Sequence, residues 1–121
     1  MNKINLFFPT VNNNTMDTII SVPTPNPFDA TLNLVAKLII DGMPNQYQFR
    51  LKSPNSIIFD KQALPLEVSM IDLGIGGLVN IDLILNITLH HAQAHQCHDF
   101  TLELYKDNQL CDYSTTSLFF I

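Results

Sequence analysis

The sequence predicts an all-β protein, an antiparallel immunoglobulin-like β-sandwich, from three observations. Hydrophobic and polar residues alternate with a period of two along most of the chain, as in strands with one buried face. Turn-forming residues separate the alternating stretches. Many short strands spaced by turns are typical of two packed sheets. We expect one domain over residues 1–121, with room for one short helix.

Four stretches show the alternation most clearly. Their apolar residues, each set on one face, are Tyr47, Phe49 and Leu51; Leu64, Leu66, Val68 and Met70; Ile81, Leu83, Leu85, Ile87 and Leu89; and Phe100, Leu102 and Leu104. A weaker early candidate has Met16, Thr18, Ile20 and Val22 on one face. Turns are predicted at Asp41-Gly42, Ser53-Pro54-Asn55 and Asp107-Asn108.

The segment from Asp29 to Gly42 fits two kinds of element. As a strand, it has on one face Leu32, Leu34, Ala36, Leu38 and Ile40. As a helix, it aligns Leu32, Val35, Ala36, Ile39 and Ile40. Asp29 would cap that helix and Gly42 would end it. Periodicity does not separate the two, and we favour the strand because strands surround it in the sequence.

Two patterns resemble a known group of proteins. The form Y-x-F-x-L-x-x-P occurs from Tyr47 to Pro54, and the form F-x-L-x-L-Y-x-D-N occurs from Phe100 to Asn108. Over residues 30–121 the chain resembles a group of small, uncharacterised bacterial β-sandwich proteins. Asn108 replaces the usual turn glycine, and asparagine also tolerates a positive φ. The resemblance implies the sandwich fold and no established activity.

Composition limits the partners and the compartment. The formal net charge is −5, and six basic residues are too few for a surface that binds nucleic acid. No polybasic cluster exists for an anionic membrane, and no apolar run is long enough to span one. Asn5 and Pro9 interrupt the apolar start, unlike a secretory signal. We expect a cytoplasmic protein that binds neither nucleic acid nor membrane.

All four histidines lie between His90 and His98. If the strands ending at Leu89 and beginning at Asp99 paired directly, His91 would lie opposite His98. The loop would then add His95 or Cys97, and such a set can bind zinc. Alternatively, the two strands lie in opposite sheets and the polar loop crosses between them. We favour a polar loop at one end of the sandwich over a metal site, and the zinc hypothesis has as ligands His91, His95, Cys97 and His98.

Catalytic motifs are scarce. The glycines from Gly74 to Gly77 lack the lysine and helix of a phosphate loop, so we expect a turn. No nucleophile elbow of the form G-x-S-x-G occurs. Cys97 and His98 are neighbours whose side chains point to opposite faces of a strand, and His95 is better placed to act on Cys97. We therefore expect no catalytic residues, no cofactor and no enzyme activity.

The last hairpin predicts the state of the cysteines. A two-residue turn at Asp107-Asn108 pairs Lys106 with Gln109 and Leu104 with Cys111. Cys97 lies further along the strand than Leu104, roughly 23 Å from the partner of Cys111. This distance exceeds the reach of a disulfide, so both thiols should be free. We expect Cys111 to be a small core residue.

The end of the sequence is apolar from Leu118 to Ile121. This segment is either a buried last strand or an exposed edge that forms a homodimer. The charged share of 14% is thin for a small domain, which also favours a covered surface. We expect a homodimeric, non-enzymatic interaction or accessory module with a protein partner. The alternative function is a metal-dependent sensor or hydrolase that uses the loop of residues 90–98.

Overall fold

The chain forms nine β-strands in a computed structural model that describes residues 1–11, 15–21, 27–64 and 69–121. The strands of the described residues are β1 (Lys3–Thr10), β2 (Ile19–Ile20), β3 (Phe28–Ile40), β4 (Tyr47–Ser53), β5 (Ser56–Ala63), β6 (Ser69–Asp72), β7 (Val79–Ala92), β8 (Cys97–Lys106) and β9 (Gln109–Phe120). One 3-10 turn, Pro44–Gln46, precedes β4. The predicted all-β class is confirmed.

The strands form two sheets. The four-stranded sheet has the order β1-β3-β7-β6, and the five-stranded sheet has the order β2-β9-β8-β4-β5. Every pair is antiparallel except β2 with β9, which run parallel over two residues. Both sheets contribute to one core, whose largest fully buried side chains are Tyr47, Phe100, Phe120, Leu34, Leu38, Ile40, Leu51, Ile81, Leu83, Leu102, Leu104 and Leu118.

The ambiguous segment is a strand. β3 covers Phe28–Ile40 and pairs with β1 on one side and β7 on the other. The predicted strand face is buried throughout, at Leu32, Leu34, Ala36, Leu38 and Ile40. A central strand satisfies its backbone hydrogen bonds on both sides, which an isolated pattern of side chains cannot reveal.

The other strand predictions fare differently. The predicted inner faces of β4, β7 and β8 are buried, except that Leu89 is partly exposed. Of the weaker strand predicted around Met16 to Val22, only Ile19 and Ile20 form a strand among the described residues, β2. Met16 is exposed, and Val22 lies outside the described residues. In the stretch from Leu64 to Met70, Leu64 is buried and β6 begins at Ser69, while residues 65–68 lie outside the described part of the chain.

Irregular backbone hid two strands from sequence analysis. In β1 the register shifts between Ile4 and Leu6, so the alternation breaks. In β5 the register shifts twice, and Lys61 has a φ of +43°. Each extra residue moves the following side chains to the other face, and the period of two disappears.

The β8–β9 hairpin corrects one predicted pairing. Asp107 and Asn108 both have positive φ, and Lys106 pairs with Gln109 as predicted. Leu104, however, pairs with Asp112 rather than with Cys111. Cys111 is the extra residue of a bulge between the Tyr105–Leu110 and Leu104–Asp112 pairs, and such a bulge cannot be derived from turn length alone. Cys111 packs partly buried against the core.

The last strand lies inside its sheet at its far end. β9 pairs with β8 along its length, and Phe119 and Phe120 pair with β2 on the other side. Leu118 and Phe120 are fully buried, whereas Phe119 and Ile121 remain partly exposed. The prediction of a buried last strand is therefore correct for the inward-facing residues of this segment.

Candidate functional site

A cleft of about 710 Å³ lies between the two sheets. The five-stranded sheet contributes the β4–β5 turn, residues 53–56, and the start of β8. The four-stranded sheet contributes residues 86–90 of β7. The volume falls in the range of about 300–1,000 Å³ that is typical of ligand-binding clefts.

The floor of the cleft is apolar. Ile58, Phe59 and Leu89 line it and are only partly buried, so part of each side chain faces the open space. Beneath them, Ile87 and Phe100 belong to the buried core. The cleft therefore exposes the margin of the core to a binding partner.

The rim of the cleft is polar but carries little charge. Ser53 and Ser56 bond through their hydroxyl groups at 3.0 Å. Asp99 is the one carboxylate among the described lining residues, which include no lysine or arginine. The Oδ1 atom of Asp99 accepts hydrogen bonds from the Ser117 hydroxyl and, at 3.6 Å, from the Cys97 thiol.

His98 lies on the cleft wall with its side chain turned inward. It pairs with the buried Leu118 of β9, and its ring packs against Phe120. Its Nε2 atom is buried and has no hydrogen-bond partner among the described residues. Burial lowers the pKa of His98, and the nearby Asp99 charge opposes this shift. His98 is therefore neutral at neutral pH and adds no charge to the cleft.

β6 covers part of the edge of β7 that faces away from β3. It pairs with β7 from Val79 to Asp82, and residues 65–68, which precede β6, lie outside the described part of the chain. From Leu83 to Ala92, β7 pairs with β3 among the described residues.

Two edge strands carry features that disfavour pairing with another chain. In β1, the Asp112 carboxylate accepts a hydrogen bond from the Ile4 amide at 2.8 Å, and Pro9 removes one donor. In β5, the two register shifts and Lys61 interrupt the ladder. Bulges, prolines and lysines are the usual means of preventing edge pairing.

The His-rich loop crosses between the sheets. β7 and β8 belong to different sheets, so His91 and His98 do not face each other across a hairpin. His91 and His95 have positive φ, and the His95 amide bonds to the Phe120 carbonyl at 2.7 Å. Of the two arrangements that the sequence left open, the structure has the one in which the loop crosses between sheets.

The loop does not assemble a metal site in this structure. Among the described residues, no group of three or more histidine, cysteine, aspartate or glutamate side chains is arranged to hold a metal ion. The exposed His90 side chain instead lies beside Asp29, at 3.4 Å from Nδ1 to Oδ1. The zinc hypothesis for His91, His95, Cys97 and His98 gains no support from this geometry.

The candidate nucleophile and the glycine loop show no activating features. Burial is the largest cause of a raised pKa at Cys97, and Asp99 raises it further, which disfavours the thiolate. Gly74, Gly76 and Gly77 have positive φ and form the turn between β6 and β7, as predicted.

Comparison with known proteins adds no name or activity. The chain matches no protein-family model, no curated protein and no solved structure. In the described part of the chain, no helix has the length and apolar character required to cross a membrane.

Sequence analysis missed the cleft because its walls come from β5 and β7, which are distant in sequence and lie in different sheets.

Proposed function

We propose that the protein is a non-enzymatic interaction or accessory module and that its partner protein binds in the cleft beside β7. One observation carries the proposal: an open cleft of about 710 Å³ lies between the two sheets, with partly exposed apolar side chains on its floor. Exposed apolar surface with a polar rim is typical of interaction sites.

The surroundings of the cleft favour a protein partner over a phosphorylated or nucleic-acid ligand. The described lining residues include no lysine or arginine, and Asp99 would repel a phosphate. The polar rim and the exposed parts of Ile58 and Phe59 together suit a polypeptide, which offers both hydrogen bonds and apolar side chains.

The finer assignments belong to the same proposal. We assign the two-sheet arrangement to the immunoglobulin-like sandwiches, in keeping with the resemblance to small bacterial β-sandwich proteins. We also propose that the module acts in the cytoplasm as a homodimer.

Capture of the partner from the native cell tests the proposal. We compare the wild-type protein with Leu89→Lys, which places a charge in the apolar floor, and with Tyr113→Lys as the control. Tyr113 lies on β9 in the other sheet, is 63% exposed and does not line the cleft. We expect Leu89→Lys to lose the partner and Tyr113→Lys to keep it. Equal capture by both variants, with both folded by circular dichroism, would refute a role for the cleft.

A further inference from the structure

We infer that two copies of the chain dimerise by stacking the outer faces of their four-stranded sheets, about a two-fold axis that runs across the strands. The outer face is the one turned away from the core between the two sheets. The inference rests on the homodimer of the proposed function and names its surface and its symmetry.

An apolar cluster lies at the centre of this face. Phe8 of β1 pairs with Val35 of β3, and Val35 pairs with Ile84 of β7. These residues alternate with residues of the core, so their side chains point outward. Leu6 lies beside them, and Ile84 and Leu6 are 52% and 41% exposed. The outward residues of a solvated antiparallel sheet are normally polar, so this outer cluster favours a covered face.

The outer face of the five-stranded sheet has a different character. There Arg50 forms ion pairs with Asp60 at 2.9 Å and with Glu103 at 3.5 Å, and Lys52 lies 3.5 Å from Glu103. A network of charged side chains of this kind is well solvated and gains little from being covered. The four-stranded sheet is therefore the better candidate for an interface.

The charges next to the outer cluster cancel. On one side, Lys37 of β3 pairs with Asp82 of β7, at 3.1 Å from Nζ to Oδ1. On the other side, the Asn86 amide donates a hydrogen bond of 2.9 Å to the Asn33 carbonyl oxygen. These flanking positions carry no net charge, although the whole chain has a formal net charge of −5. Two copies can meet here without the repulsion that their net charge causes elsewhere.

Packing and charge together determine the axis. Aligned sheets keep their strand directions within about 30° of each other, so an axis in the interface runs either along or across the strands. An axis along β3 would place Lys37 over Lys37 of the second copy, and like charges repel. An axis across the strands through Val35 places Lys37 over the Asn33 amide and Asp82 over the Asn86 amide. An amide both accepts and donates hydrogen bonds, so this second arrangement is complementary.

The size of the face indicates a weak dimer. At about 3.3 Å per residue and about 4.8 Å between strands, the four strands cover roughly 600 Å². Interfaces below about 1,200 Å² in total, or about 600 Å² on each partner, belong to the weak and transient class. We therefore expect association at micromolar or higher concentrations of protein.

Cross-linking of single cysteines tests the surface and the axis. In a Cys97→Ser/Cys111→Ser background we introduce Ile84→Cys, Asn33→Cys or Tyr113→Cys and add a short bismaleimide. The proposed axis brings the two Ile84 positions face to face across sheets that pack about 10 Å apart, whereas the two Asn33 positions lie on opposite sides of the axis. We expect covalent dimers from Ile84→Cys alone, since Tyr113 lies on the other sheet.

Sedimentation without any cysteine change gives an independent measure. Ile84→Lys places a charge in the outer cluster, and Tyr113→Lys places one on the outer face of the other sheet. We expect Ile84→Lys to weaken dimerisation by about tenfold or more and Tyr113→Lys to leave it unchanged. Both residues are exposed, so both variants should fold, which circular dichroism checks.

Each contrary result has a distinct meaning. Cross-linking through Asn33→Cys but not through Ile84→Cys would overturn the axis. Equal dimerisation of Ile84→Lys and the wild type would overturn the surface while the homodimer stands, and a monomeric wild type would contradict the homodimer itself. If the wild type is monomeric and Ile84→Lys loses the captured protein, the face belongs to that partner. Leu89→Lys tests the cleft separately, so failure of the dimer does not remove the partner site proposed there.

Discussion

The ring of His98 packs against the ring of Phe120 in a T-shaped contact, with centroids 5.2 Å apart and planes at 80°. Phe120 is fully buried, so this contact holds the imidazole against the core where β8 and β9 meet. A charged imidazole is poorly solvated in such a place, and burial lowers the pKa of His98 below its ordinary 6.5. The contact therefore ties the protonation of one side chain to the stability of the hairpin.

Acid should weaken the fold through His98. Its pKa is lower in the folded than in the unfolded state, so the unfolded state binds the proton more readily. The contribution of neutral His98 to the free energy of unfolding is fully present above the pKa of the unfolded state. It is lost as the pH falls through 6.5 toward the pKa of the folded state. Urea unfolding between about pH 7 and pH 5 should show a falling free energy of unfolding. His98→Phe should reduce that fall and His95→Gln should retain it, while identical slopes for wild type and His98→Phe would contradict the assignment.

Alkali should weaken the fold through Tyr47. Its hydroxyl donates to Asn2 or Asp41 in the buried end of β4, and burial, reinforced by the Asp41 charge, raises the pKa of Tyr47 from 10.0 to about 12. The stabilising contribution is present below pH 10 and is lost as the pH rises from 10 to about 12. Burial also raises the pKa of Tyr105, so phenolate absorbance should show two late-ionising tyrosines, one of which disappears in Tyr47→Phe.

At neutral pH, Tyr47→Phe should cost about 1 kcal/mol of stability, the usual value of one such hydrogen bond. Tyr113→Phe is the matched control, because Tyr113 is 63% exposed. Equal stability of the two variants would show that the Tyr47 hydroxyl contributes nothing.

Neighbouring residues of β7 should respond very differently to truncation. Leu83 is fully buried and Ile84 is 52% exposed on the opposite face. Leu83→Ala should lower the free energy of unfolding by about 2–5 kcal/mol, since it removes core contacts and leaves a cavity. Ile84→Ala should cost about 1 kcal/mol or less. Chemical denaturation measures both losses of free energy. A smaller loss for Leu83→Ala than for Ile84→Ala would show that the register of β7 is wrong.

Both cysteines should titrate as free thiols. Cys97 lies opposite Phe119, eight residues along β9 from Cys111, which corresponds to about 26 Å. That separation is far beyond the reach of a disulfide. A thiol reagent added to unfolded, unreduced protein should count two groups per chain. A count of zero from monomeric protein would contradict the hairpin register.

Self-association should use the outer face of the four-stranded sheet. Phe8 and Val35 pair there, Val35 also pairs with Ile84, and Leu6 lies on the same face and is 41% exposed. We expect a dimer by sedimentation at tens of micromolar, and a monomer for Leu6→Lys. A wild-type protein that sediments as a monomer at that concentration would exclude the dimer. Deleting residues 119–121 is a poor test, because Phe120 belongs to the core.

The alternation of side chains determined which face of each regular strand is buried. Ile81, Leu83 and Leu85 share a face in the sequence and in the folded chain, because the period of two is a local property of an extended backbone. The turn at Asp107-Asn108 could also be predicted from the sequence, since its conformation depends on residues that tolerate a positive φ.

Only the tertiary structure decided how the strands are arranged. The bulges at Ile4–Leu6 and around Lys61 depend on partner strands and break the local period, so β1 and β5 escaped prediction. The separation of β7 from β8 into different sheets decided the course of the His-rich loop and, with β5 opposite, created the cleft. Strand partners are chosen by the packing of the whole core, and no short stretch of sequence contains that information.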